Sequence, residues 1–163
     1  MIFIVKLDNV TDYPYEIKYN NIQLKKSMDT LSVDYAEGRV FDFVDESSIK
    51  TSFLETFDYA GPRQRVNYKM KEFAAVCPFS GLPDTGIVWV EYIPRQKLLE
   101  LKALKYYFLT FRNVGIFQEA VTARIFDDLF TLLNPEELMI KTRYNTRGGI
   151  DTTCTIESNE QTS

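Results

Sequence analysis

The chain has 163 residues, of which 45% are hydrophobic and 26% charged, the balance of one globular domain with a real core. Its net charge is −4, with 11 acidic and 6 basic side chains in residues 1–60, which argues against a broad nucleic-acid surface. With no histidine and only two cysteines, Cys77 and Cys154, a His-containing zinc site and a Cys–His pair are excluded, and no metal is expected.

No apolar run approaches the roughly 18 residues of a membrane span. The opening MIFIVK is too short for a signal-peptide core and is followed at once by Asp8. A soluble cytoplasmic protein with reduced thiols is therefore expected.

Residues 1–60 read as an irregular, β-rich N-terminal segment packed on the core. Ile2–Val5 is a strand candidate, and Pro14, Asn20-Asn21 and Gly38 punctuate the rest of the segment. From Arg65 the pattern sharpens into a catalytic domain expected over 61–157. Val66, Tyr68 and Met70 alternate with polar neighbours, as in a half-buried strand. CPFSGLPD (77–84) is turn-rich, and IVWVEYI (87–93) is a β-branched and aromatic strand ended by Pro94.

The period then changes. Leu98, Leu101, Leu104, Phe108 and Phe111 recur at helical spacing up to Asn113–Gly115. Phe117, Val121, Ile125, Leu129 and Leu132 mark a second helix stopped by Asn134-Pro135. Leu138, Ile140, Thr142 and Tyr144 alternate again, as do Ile150, Thr152, Cys154 and Ile156 after the Arg147-Gly148-Gly149 turn. The tail 158–163 is polar and expected to be disordered. Two strands, two helices and two strands in blocks predict an α+β fold with an antiparallel four-stranded sheet and both helices on one face. Such a sheet leaves long edges that favour pairing between subunits.

Without histidine, any chemistry must run on Cys, carboxylates, Lys, Arg or Tyr. Cys77, between a strand and a stiff loop, reads on position alone as a small buried hydrophobe or as a nucleophile. Asp84 closes the same Pro/Gly loop, so a thiol and a carboxyl could face one pocket; Pro-Asp-Thr-Gly is equally ordinary turn chemistry. Lys102 and Lys105, three apart on a helix, could hold ligand phosphates or simply be solvated. Arg147 beside Gly148 could receive an anion or belong to a plain hairpin turn. Glu119, opening the second helix, suits the helix dipole or could accept hydrogen bonds from a purine-like base, with Gln118 beside it.

Taken together, EFAAVCPFSGLPD (72–84), ELKALKYY (100–107), FRNVGIFQE (111–119) and TRGG (146–149) closely resemble the NADPH-dependent 7-cyano-7-deazaguanine reductases. That family belongs to the tunnelling-fold superfamily, and the resemblance spans about residues 52–157. The block at 100–107 matches the family's nicotinamide-cofactor motif at every position, and Cys-Pro-x-(Ser/Thr)-Gly-x-Pro-Asp fits without gaps.

The resemblance implies reduction of the nitrile of 7-cyano-7-deazaguanine to 7-aminomethyl-7-deazaguanine in queuosine biosynthesis. Cys77 would form a covalent thioimidate and Asp84 would act as general acid, protonated at that step. Glu119, Gln118, Glu100, Leu101 and Lys102 would bind the substrate. Lys102, Lys105, Arg147 and Gly148 would hold NADPH. Sheets closed into a barrel across subunits, in a decamer of two pentameric rings, are implied as well, with a small-molecule substrate and neither membrane nor direct nucleic-acid partner.

There are departures from the family. Gln118 stands where many relatives have a His before the ring-binding Glu, and Gln cannot shuttle a proton. The second cysteine that some members carry close after that Glu is replaced by Ala120 and Val121. Of the rivals, a zinc-type GTP cyclohydrolase fails for want of His. The archaeal amidinotransferase relative, which acts on a nitrile already in tRNA, would not need the complete ELKALKYY block. A non-catalytic base-binding module would leave Cys77 inert.

Overall fold

The computed structural model describes residues 41–158. The readings for Ile2–Val5, Pro14, Asn20-Asn21 and Gly38 lie outside the described residues, as does the tail beyond Ser158. The compact unit that contains the described residues begins at Val40.

Six strands and two α-helices succeed one another in the order β1 (Thr56–Asp58), β2 (Val66–Val76), β3 (Pro83–Ile93), β4 (Lys97–Leu99), α1 (Leu101–Leu109), α2 (Gln118–Leu133), β5 (Glu137–Tyr144) and β6 (Thr153–Glu157). Four of the strands form an antiparallel sheet in the order β2-β3-β5-β6, as expected; β1 and β4 make a separate two-stranded ribbon. Within 41–60, two short 3-10 turns at Glu46–Ser48 and Thr51–Phe53 take more of the chain than the three-residue β1. Ile49 and Leu54 of this stretch enter the core.

One sheet face carries the core. Val88, Val90 and Tyr92 of β3 and Leu138, Ile140, Thr142 and Tyr144 of β5 are buried there by strict alternation. Val121, Ile125, Phe126 and Leu129 of α2 and Leu104, Tyr107 and Phe108 of α1 complete it from the helix side. Phe73 packs edge-on to Phe108 at 6.0 Å and tilted on Phe111 at 5.4 Å. Stripping so large a ring from such a site costs about 3–5 kcal/mol.

Three expectations need correction. Strand β2 runs on to Val76, because a bulge between Met70 and Phe73 inserts one residue and returns Phe73 and Ala75 to the core face. Leu98 is not helical; it lies in β4, opposite Phe57. Leu101, at the first helical position, is 61% exposed.

Helix α1 starts where the Glu100 carboxylate accepts the Ala103 N–H at 2.6 Å. Helix α2 ends at Asn134, whose left-handed backbone (φ 43°) and Pro135 forbid continuation. On the sheet's opposite face Trp89 lies between the ammonium groups of Lys69 (4.9 Å) and Lys141 (5.8 Å). None of the helices in the described residues is long and apolar enough to cross a membrane.

Candidate active site

The β2–β3 hairpin builds the site from its turn. Cys77 N–H donates to the Leu82 carbonyl at 2.9 Å and Gly81 N–H to the Cys77 carbonyl at 2.8 Å, closing a tight loop over 77–82. Gly81 sits at φ +66°, which its missing Cβ permits. Asp84 is not the end of that loop but the second residue of β3, paired across the ladder with Ala75. Because residues two apart share a face, Asp84 and Cys77 are brought to one side of the sheet.

The second half comes from the far end of the sequence. Arg147 and Ile150 exchange backbone hydrogen bonds of 3.0 and 2.9 Å around Gly148 (φ +57°) and Gly149 (φ +81°). Both central residues having positive φ is the two-residue hairpin geometry that glycine makes easy. The turn aims Arg147 back over β3. Its Nη1 donates to Asp84 Oδ1 at 2.5 Å and its Nη2 to the Ser80 hydroxyl at 3.2 Å. The Asp84 side chain is only 3% exposed, while that of Arg147 is 40% exposed.

Cys77, Ser80, Asp84 and Arg147 line a pocket of about 380 Å³ whose far wall is the N-terminal turn of α2, with Gln118 and Glu119. Burial is the largest single influence on the Cys77 thiol and pushes its pKa up. Hydrogen bonds from the Ser80 side chain and N–H, the Phe79 N–H and the Arg147 guanidinium together outweigh it, leaving the pKa below that of an ordinary thiol. The same contact with Cys77, foremost, and the pairing with Asp84 raise that of Arg147.

Phe79, Phe117 and Ile150 form an exposed apolar rim. Phe117, expected on the buried helix face, is the N-cap of α2, with extended ψ of 150°, so it is 59% exposed. Ile150 closes the glycine turn rather than entering β6. Ser80 and Asn145 also line the pocket, and the sequence does not mark either as functional; Ser80 lies inside the Cys77–Asp84 stretch, whereas Asn145 carries no local signal.

The remaining candidates lie elsewhere on the chain. Glu100, Leu101, Lys102 and Lys105 line a groove of about 620 Å³ between β2 and α1, floored by Tyr68, Met70 and Phe108. Among the described residues, none lines both this groove and the thiol pocket. Within one chain, Arg147 is therefore grouped with Cys77 and Asp84, not with the two lysines, and Gly148 lines neither cavity. Glu100 is engaged in capping α1, and its hydrogen bonds from Ala103 and Lys102 hold its carboxyl below the usual range. Lys102 and Lys105 are exposed and, among the described residues, join no ion pair. These two ammonium groups, that of Lys102 lying 5.6 Å from the Tyr106 ring, sit beside an apolar floor and fit a dinucleotide's phosphates and rings. The groups of His, Cys, Asp or Glu needed for a metal do not occur among the described residues.

A four-stranded antiparallel sheet with two helices inserted after its second strand defines the tunnelling-fold class. A solved structure of the archaeosine synthase QueF-Like in the apo form shares it, with a TM-score of 0.53 over 61% of this chain and 96% of that one; at 23% identity the likeness is one of fold. Residues 83–163 match the family described as QueF-like protein. A NADPH-dependent 7-cyano-7-deazaguanine reductase of Thermotoga petrophila is 52% identical over 126 residues, 77% of this chain and 92% of its own. That of Caldicellulosiruptor bescii is 46% identical over 121 residues, 73% of this chain and 92% of its own. The chain belongs to the family of NADPH-dependent 7-cyano-7-deazaguanine reductases.

Proposed function

We propose that the protein reduces the nitrile of 7-cyano-7-deazaguanine to the aminomethyl group at the expense of NADPH, the nitrile-reducing step of queuosine biosynthesis. The observation that supports this most is the meeting of an acidified Cys77 thiol, a buried Asp84 and the Glu119 turn of α2 in one pocket.

A nitrile is a poor hydride acceptor, and covalent addition of sulfur makes it a better one. The Cys77 thiolate adds to the nitrile carbon, one C–N π bond breaks, and the nitrogen takes a proton from Asp84. That proton is the one the thiol gave up, so the thioimidate forms with no net change in protons. NADPH, when bound, would supply two hydrides per nitrile, and one solvent proton would reach the nitrogen with each of them. Expulsion of the Cys77 thiolate between them returns the free side chain and leaves an imine for the second. Glu119 accepts N–H donors of the deazaguanine ring, and Gln118 adds a polar contact. Phe79 and Phe117 screen the reacting carbon from water.

Lys102 and Lys105 hold the cofactor phosphates. Their groove reaches a thiol pocket when chains assemble with the groove of one copy facing the pocket of the next. The edges of β2 and β6, unpaired among the described residues, suit such closure of sheets into a barrel. We take the assembly to be a decamer of two pentameric rings in the cytoplasm, acting on a free small molecule rather than on nucleic acid. Light scattering should return that mass, and a stable monomer would overturn it. For the reaction, intact-mass analysis after mixing with the nitrile alone should show one adduct on Cys77. Adding NADPH should discharge that adduct as the aminomethyl product. An unmodified chain that consumes no NADPH would refute the assignment.

A further inference from the structure

A short parallel bridge joins the two halves of the thiol pocket. Val76 N–H donates to the Val114 carbonyl at 2.9 Å and Ile116 N–H to the Val76 carbonyl at 3.0 Å, tying the residue before Cys77 to the chain that enters α2. The same stretch takes a second parallel bridge on its other side. Val44 N–H donates to the Asn113 carbonyl at 2.9 Å and Gly115 N–H to the Val44 carbonyl at 2.8 Å. Phe43, next to Val44, lays its ring on Gly115 so closely that a Cβ there would collide with it. The Phe41 backbone lies against Gly81 of the Cys77 loop, its carbonyl 3.5 Å from the space a Cβ would take. We propose that Phe43 and Val44 are positioning residues that clamp Asn113–Ile116 and so fix the spacing between the Cys77 sulfur and the Glu119 carboxyl. The inference rests on the reading of Cys77 as the nucleophile and Glu119 as the acceptor for the substrate ring.

The start of α2 needs such support. Its N-cap, Phe117, offers no side-chain hydrogen bond to the first turn, so that turn takes its place from its surroundings. On the sheet side the Thr122 hydroxyl meets that of Thr142 at 2.7 Å, and at the entry the two bridges hold Asn113–Ile116 from both edges. Val114 and Ile116 are fully buried between them. Gly115 has no positive φ, so its missing Cβ serves to make room for the Phe43 ring rather than to permit an unusual backbone. The clamp is itself anchored: after Val44 the chain enters the turn capped by Asp45 and sends Ile49 and Leu54 into the core. The Phe43 ring is 39% exposed, so removing it loosens the clamp without opening a closed cavity. A substrate held by its ring at Glu119 must bring its nitrile carbon to bonding distance of the sulfur, and a misplacement of about 1 Å costs such a reaction up to about 10²-fold.

The test is the rate of adduct formation between Cys77 and 7-cyano-7-deazaguanine, read by intact mass on the full-length protein without NADPH. Phe43→Ala should lower that rate about tenfold at low nitrile concentration, and Phe43→Leu, which refills part of the contact, should recover part of the loss. Gly115→Ala should be worse still. Adding Phe43→Ala to it removes the collision and should return the double variant to the level of Phe43→Ala alone. Iodoacetamide alkylation of Cys77 in a Cys154→Ser background should not change in the Phe43 variants, since the thiol's own loop is closed by the Leu82 and Gly81 hydrogen bonds. Hydrogen exchange over residues 113–119 should quicken in Phe43→Ala, with the rest of β2 and β3 unaffected. Should melting curves show Gly115→Ala unfolded, Phe43→Ala against Phe43→Leu carries the comparison. Adduct rates in the Phe43 variants equal to wild type, or losses in the double variant that simply add, would overturn the proposal. A wild type that forms no adduct would sink the nitrile assignment, and exchange would then decide the clamp by itself: faster in Phe43→Ala upholds it, unchanged overturns it.

Discussion

Asp84 stands directly across the β2–β3 ladder from Ala75, two residues before Cys77, and so the hairpin register alone sets the carboxyl on the thiol's side of the sheet. Asn fills the same volume at that point but has no acidic proton. Asp84→Asn should leave the melting curve close to wild type and lower kcat about 10²–10⁴-fold, the usual worth of a positioned acid. Stopped-flow NADPH oxidation checks it, and a kcat within a factor of two of wild type would remove Asp84 from the mechanism.

The Thr122 and Thr142 hydroxyls meet at 2.7 Å inside the core, joining the first turns of α2 to β5 just beneath Gln118 and Glu119. Thr122→Val strands the Thr142 hydroxyl in an apolar site, at about 1–3 kcal/mol, whereas Thr142→Val leaves the Thr122 hydroxyl its 3.4 Å bond to the Gln118 carbonyl and should cost less. The double change Thr122→Val with Thr142→Val should cost less than Thr122→Val alone. A double-mutant cycle by urea unfolding measures this, and simple additivity would show the pair to be uncoupled.

Gly86 lies against β5 so closely that a Cβ there would run into the Arg143 carbonyl and the Tyr144 backbone. Gly86→Ala should therefore pry β3 from β5 and destabilise the fold by about 1–3 kcal/mol. Because Asp84 is two residues along the same strand, kcat should drop as well. Thermal denaturation with parallel activity assays tests both effects.

Lys102 and Lys105 lie on one exposed side of α1 and line the same groove. Loss of one ammonium–phosphate contact should raise KM for NADPH roughly tenfold, the equivalent of about 1.4 kcal/mol, with kcat little changed. The effect should shrink as ionic strength rises, since exposed charges are screened. Steady-state kinetics of Lys102→Ala and Lys105→Ala at two salt concentrations would show it; unchanged KM in both would place the cofactor elsewhere.

Much of the fold is legible in the hydrophobic period: the switch from two to 3.6 after Pro94 and back at Leu138 gives strands, helices and strands in the right order. The misreadings have local causes. Leu98 fits a helical repeat, but its partner Phe57 in β1 captures it as a strand, a long-range pairing that spacing does not report. Lys71 and Glu72 break alternation because a bulge lies there, so β2 reads shorter than it is. Phe117 and Ile150 keep the period while sitting at a cap and a turn, where the backbone turns the side chain outward. Cys77 and Asp84 are legible as a pair because one stiff loop joins them. The Arg147–Asp84 ion pair is not, since it links residues 63 apart through the order of strands in the sheet.

The central claim is that Cys77 carries a nitrile to the amine at the expense of NADPH. Its most direct measurement is NADPH oxidation with 7-cyano-7-deazaguanine and mass analysis of the product, with Cys77→Ala run alongside. The account predicts two NADPH consumed per aminomethyl product in wild type and neither consumption nor product in the variant. Nitrile-dependent turnover that survives Cys77→Ala, or a wild type that forms its adduct and leaves NADPH untouched, would contradict it.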